Sequence, residues 1–271
     1  MSIHETAVIH ESAVIDPGAH IGAGVKIGPF CHVQSEARIG DGCTLDSGVT
    51  VCRYTDLGEE CHVHGGVVLG GTPQDLAFDI DMVSHLRVGR NCTIREGVTI
   101  HRGTGESTET VVGDDCFLMA NSHVGHNSRI GNGVILVNGA LIAGHAELGD
   151  NVIISGHSVV HQHCRVGRLA MIGGLSGVSK DLPPFFLVHA NGPNRVAAIN
   201  AVGLRRAGFS QEDRKSVKQA FRMLYLEGRT VTDAVRSMRE IDSDPVRELC
   251  TFIEQSKRGI CGYIRDNTRD D

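Results

Sequence analysis

Fifteen histidines stand among 271 residues, and seven crowd one stretch: His101, His123, His126, His145, His157, His161 and His163. A neutral imidazole can take a proton from a hydroxyl near pH 7. It is also the commonest metal ligand, and on a solvated face it does neither. A zinc site would need three such rings converging with bonds of about 2.1 Å. The other reactive group is a set of nine cysteines. Their number is odd, no CxxC pair occurs and the chain is not small, so a disulfide framework is not expected. They are expected instead as small buried hydrophobes in a reducing compartment.

A six-residue repeat sets the elements that must position these groups. From Ile3 every sixth residue is Ile, Val or Leu as far as Leu69. The pattern resumes out of phase at Val88, Ile94 and Ile100, and runs again from Val112 to Val178. The fourth residue after each aliphatic one is small, and six of the nine cysteines fall in that slot, among them Cys43, Cys92, Cys116 and Cys164. One unit is a short strand plus a corner, and three units close a triangular coil of eighteen residues. Successive coils stack at strand spacing, about 4.8 Å. The chain is thus expected to be mainly β with an α tail: a parallel β-helix of hexapeptide repeats over residues 1–190, then a C-terminal helical domain over 191–271. Glycines after many aliphatic positions, such as Gly22, Gly40, Gly131 and Gly149, are expected where the chain turns. Segments 70–87 and 104–111 break the repeat and are expected as ejected loops, where binding groups tend to sit.

The coil period places the histidines. His145 and His163 are eighteen residues apart, as are His126 and Gly144. His126, His145, His161 and His163 therefore come from one wall in three successive coils, with His123 just before the preceding corner.

Such a core needs no aromatic residues, and aromatics are only 4% with no Trp. A net charge of −6 argues against a nucleic-acid binder. No run of 18 apolar residues encodes a membrane span, and the segment MSIHETAVIHE has no basic or apolar signal region. In the tail, Ser210 caps an expected helix running to Glu227 and stopped at Gly228. A second is capped by Thr230 or Thr232 and runs to about Ile241, and Asp244-Pro245 starts a third. The tail from residue 195 is mildly basic, with 15 Lys/Arg against 12 Asp/Glu. It suits an acidic partner or simply a solvated face.

The segments PQDLAF (73–78), IREGVTIHRGT (94–104), LMANSHVGHNSRIGNGVIL (118–136), AGHAELGD (143–150), VVHQHCRVG (159–167) and NAVGLRRAGFS (200–210) closely resemble the UDP-N-acetylglucosamine O-acyltransferases. The resemblance covers nearly the whole chain. It implies a left-handed coil in a cytoplasmic homotrimer, with active sites between neighbouring subunits. The donor would be an R-3-hydroxyacyl thioester on acyl carrier protein, with no other cofactor and no metal. The acceptor would be the 3-hydroxyl of a UDP-linked glucosamine unit. By the same resemblance His126 is the general base, and the Gly144 amide meets the oxyanion. Asp75, His101, His123, His145, His161 and Gln162 bind the nucleotide sugar. Asn200, Arg205 and Arg206 contact donor or nucleotide, and Gly174 limits the acyl chain. A glycine there leaves the groove open and implies a chain nearer about 14 carbons than about 10. Three positions depart from the family pattern: Asn127 where members often have Asp, Ala77 where Lys is common, and Val202 where some have Glu. The last leaves open a sugar nucleotide with a 3-amino group, giving an amide product. A non-catalytic solenoid is the alternative of a different class.

Overall fold

A computed structural model describes residues 2–190 and 195–263. Strands of two to five residues form three walls of nine, twelve and nine strands, all pairings parallel save one near the end of the second wall. The first wall begins at Ser2–Ile3, the second at Val8–Ile9 and the third at Val14–Ile15. The register is the expected one: Ile3 lies beside Ile21 and Ile130 beside Leu148, one coil of eighteen residues on. The ladder stays in phase across the interruptions, because Leu57 pairs with Val88 and Val88 with Val112.

Alternation along each strand turns the aliphatic residue inward. Leu69, Ile94, Ile100, Leu118, Leu136, Ile142, Ile154 and Ile172 are fully buried. Each such side chain contributes about 1.5–3 kcal/mol on leaving water. The small slot is also interior, and it is bonded. Cys43 Sγ donates to the Gly58 carbonyl at 3.0 Å and Ser158 Oγ to the Gly173 carbonyl at 2.7 Å, each on the coil above. All nine cysteines are free thiols, eight of them buried.

The glycines behave differently from the expectation. Gly22, Gly40, Gly131 and Gly149 are not where the left-handed bend occurs. They are bare because the next coil's backbone lies on them: a Cβ at Gly40 would sit 2.8 Å from the Glu59 nitrogen. The bend falls two residues later. There the chain adopts positive φ whether or not a glycine is present, as at Asn127 (59°), His145 (59°) and His163 (61°).

The ejected segments are shorter than the sequence implied. The third-wall strand Val68–Gly71 and the first-wall strand His85–Val88 absorb both ends of the first, leaving 72–84. The second spans 102–108, between Thr99–His101 and Glu109–Val112. Both leave the coil at the corner between the third and first walls.

The second wall continues past the coil through Phe186–Val188, the antiparallel Arg195–Ile199 and Gly262–Tyr263. Between those last two strands the described residues form four helices: α1 (Ala201–Arg206), α2 (Gln211–Tyr225), α3 (Val231–Met238) and α4 (Asp244–Glu254). Ser210 and Thr230 cap α2 and α3 through their side chains. Helix α2 stops at Tyr225, with Leu226 as C-cap, two residues short of the expected end. The expected boundary between residues 190 and 191 touches 191–194, outside the described residues, as does the tail beyond residue 263. The scarce aromatics gather where helices meet coil: Phe186 packs edge-on against Phe221 and Tyr225 at 5.4 and 5.7 Å.

Candidate active site

The corner between the third and first walls repeats as 125–127, 143–145 and 161–163. Three columns rise along it. His126, Gly144 and Gln162 form one, Asn127, His145 and His163 the second, and Gly125, Ala143 and His161 the third. The rings of His145 and His163 stack at 4.6 Å, and His126 meets His145 edge-on at 5.1 Å. One strand earlier, His123 lies 4.7 Å from His101. The band of imidazoles expected from the coil period is therefore real, and both ejected loops leave the same edge just below it.

His126 is held in one tautomer. The backbone N–H and the hydroxyl of Thr104 both reach the same atom of Asn127, at 3.0 and 2.9 Å. A backbone N–H only donates, so that atom is the amide oxygen. His126 Nδ1 lies 2.9 Å from it and must donate. The ring proton thus sits on Nδ1, and Nε2 carries the free lone pair. Asn127 is itself fixed by its own N–H donating to Thr110 Oγ1 at 2.8 Å. In the sequence Asn127 stands out only as a departure from the family pattern, and Thr104 only as the end of the segment IREGVTIHRGT.

Nε2 faces Gly144. A Cβ on Gly144 would come within 2.6 Å of both Cε1 and Nε2 of His126. The coil's ladder uses the amides of Ala143 and His145 and passes over that of Gly144. An imidazole nitrogen with a free lone pair and an unspent amide thus adjoin across one coil step.

The surrounding rings are kept neutral. Burial, reinforced by the charges His123 and His126 would carry, pushes His101 from its ordinary 6.5 down to about 4. Burial likewise lowers His123, whose Nδ1 pairs with Thr99 Oγ1 at 2.8 Å, and His145. The unfolded chain therefore binds more protons than the folded one between these values, and stability falls as pH drops from about 6.5 to about 4. The melting temperature is expected to decline through that window, with a shallower decline in His101→Gln. Equal slopes in a pH series of thermal melts would count against it.

A carboxylate in place of the Asn127 amide would stabilise the imidazolium of His126. Asn127→Asp is therefore expected to move the acidic limb of the pH–rate profile upward by about 1 unit or more. An unmoved limb would show that Asn127 does not act on His126 during turnover.

The first loop is anchored from below. Arg102 is 2% exposed, lies over the rings of Tyr54 and Phe78 at 5.5 and 5.3 Å, and donates to the Ile80 carbonyl at 3.4 Å. Asp75 sits exposed in that loop, accepting from the Ala77 N–H at 2.9 Å. His161 and Gln162 are exposed on the edge above.

The other expected residues lie elsewhere. Asn200 is the N-cap of α1: its side chain accepts from the Gly203 N–H and donates to the Leu169 carbonyl, at 2.9 and 2.8 Å. Arg206 and Val202 border an apolar furrow floored by Ile135, Ile153, Met171 and Leu187 on the second wall. Arg205, also on α1, is exposed. Gly174 lies on the corner between the second and third walls, where a Cβ would meet only the Gly156 carbonyl, at 3.5 Å. One chain does not bring these groups to His126.

Residues 181–261 match the family described as UDP N-acetylglucosamine O-acyltransferase, domain 2. Residues 6–39 and 109–144 match the bacterial transferase hexapeptide of six repeats. The acyl-[acyl-carrier-protein]–UDP-N-acetylglucosamine O-acyltransferase of Thermodesulfovibrio yellowstonii is 39% identical over 262 residues, covering 96% of this chain and 98% of its own. The solved UDP-N-acetylglucosamine acyltransferase from Campylobacter jejuni superposes with a TM-score of 0.88 at 35% identity, over 94% of this chain and 100% of that one. The Francisella novicida enzyme gives 0.84 at 34% identity, over 98% and 95%.

Proposed function

The chain belongs to the UDP-N-acetylglucosamine O-acyltransferase family, and from that membership we propose that it transfers an R-3-hydroxyacyl chain from acyl carrier protein to the 3-hydroxyl of UDP-N-acetylglucosamine, the first step of lipid A synthesis. The observation that carries the mechanism is the single tautomer of His126, with Nε2 turned to the unspent amide of Gly144.

His126 Nε2 takes the proton of the sugar hydroxyl as its oxygen attacks the thioester carbonyl. The carbonyl oxygen gains the negative charge and accepts from the Gly144 N–H, a donor worth about 3–4 kcal/mol in the transition state. Collapse expels the carrier thiolate, which recovers the proton from the imidazolium. Asn127 holds the imidazolium by its amide oxygen and so stabilises it without a second charge.

The neutral rings of His101, His123 and His145, with His161, Gln162 and Asp75, hold the nucleotide sugar by hydrogen bonds. Arg205 and Arg206, on the helix that Asn200 caps, take the phosphates of donor or nucleotide. Gly174 and the furrow under Val202 lie on other faces of the prism, so a complete site requires a neighbouring copy. A homotrimer supplies it. Nine free thiols fit a cytoplasmic setting, and among the described residues no helix is long and apolar enough to cross a membrane.

The test is turnover of 3-hydroxyacyl carrier protein with UDP-N-acetylglucosamine and with its 3-amino analogue. Ester formation supports the reading, and exclusive amide formation replaces the acceptor. A donor series is expected to peak nearer about 14 carbons than about 10, because Gly174 leaves open space that a larger side chain would fill. A peak at about 10 would remove Gly174 from that role.

A further inference from the structure

A second group of ligating side chains lies on a different edge of the prism. Asp46 and His64 occupy the corner between the second and third walls, one coil apart, and His62 lies on the second-wall strand that leads into it. His62 Nε2 is 3.3 Å from Asp46 Oδ1, and His64 Nδ1 is 3.1 Å from Asp46 Oδ2. The two rings stack at 4.1 Å with 25° between their planes. Among the described residues, these are the only three such groups whose ligand atoms lie within 4.8 Å of one another.

We propose that Asp46, His62 and His64 form a binding site for a divalent transition-metal cation such as zinc. The dimensions fit. Around a tetrahedral zinc with bonds of about 2.0–2.1 Å, neighbouring donor atoms stand about 3.3 Å apart. Both nitrogen–oxygen separations lie near that value before any movement. Two imidazoles and one carboxylate are a donor set for zinc, cobalt or nickel, whereas magnesium and calcium prefer oxygen alone. One side of the cluster is open to solvent, so water can complete the shell. The Glu96 carboxylate, 3.9 Å from His64 Nδ1, is held by both a Nε and a Nη bond from Arg95 and stays in the outer shell.

The pair His32 and Asp16, at 3.1 Å, shows the contrast. It has the same chemistry with one ligand fewer, and among the described residues no third ligating group joins it. The proposed site stands five coils below Gly174, about 24 Å at strand spacing, and on a different edge from His126. It takes no part in acyl transfer. A bound ion would tie the coil of Asp46 to the coil of His62 and His64, and so act as a staple between rungs.

The experiment uses the full-length protein stripped with a chelator and titrated with zinc in equilibrium dialysis. One ion per chain is expected, with affinity at least about ten-fold weaker in Asp46→Asn and in His64→Ala. Zinc is expected to raise the melting temperature of the parent and not of the variants. Cobalt should give the intense visible bands of a tetrahedral site. Acyl-transfer activity should be unchanged in both variants. Asp46→Asn preserves shape, so it carries the test if His64→Ala does not fold. Retention of no zinc, equal affinity in the variants, or affinity lost instead in His145→Ala would overturn the proposal.

Discussion

Replacing His126 with alanine is expected to lower kcat about 10²–10⁴-fold, the range that a positioned general base supplies. The side chain is half-buried at a corner and outside the apolar core, so the melting temperature should barely move. Two further readouts separate loss of a base from loss of a contact. Residual activity should lose its acidic limb, because no imidazole is left beside the Gly144 amide to take the proton. The KM for the sugar nucleotide should change little, since Nε2 meets the hydroxyl only as the proton moves. A His126→Ala enzyme with full activity would end the assignment.

Gly144→Ala is expected to cost about 10²–10³-fold in kcat, although it adds one methyl group. That methyl would lie 2.6 Å from His126 Nε2 and Cε1. The ring cannot simply rotate aside, because Nδ1 is tied to Asn127, which is tied in turn to Thr104 and Thr110. The substitution therefore displaces the His126 ring and the Gly144 amide together. Gly177→Ala is the control, since a Cβ there meets nothing within 4 Å. Equal loss in both variants would mean that the effect comes from general strain in the coil.

Much of this arrangement was legible in the sequence. Inward aliphatic residues and their six-residue step fix walls, corners and coil length together. Eighteen-residue arithmetic then puts His145 under His163 and His126 under Gly144. What the sequence did not disclose depends on contacts that break the period. Thr104 reaches Asn127 across 23 residues because it lies in the second loop, which lengthens that coil from eighteen residues to 24. The glycines after the aliphatic residues looked like bend residues, but it is the approach of the next coil that keeps them bare. Helix α1 is only six residues long, too short to show a helical period, so nothing in the spacing marks Asn200 as its cap. The strand Arg195–Ile199 carries two adjacent alanines and no alternation strong enough to mark it.

Sixteen non-glycine residues among those described adopt positive φ at bends, Asn127, His145 and His163 among them. An L-residue accepts that conformation at a cost of roughly 1–2 kcal/mol, which the ladder on either side must absorb. The architecture thereby divides labour between inheritance and invention. Each rung is held by its neighbours through ladder bonds and the shared core, so an apex residue that faces neither can change in type without endangering the stack. New chemistry on such a scaffold is a matter of decorating apices, with stability held in reserve by the walls.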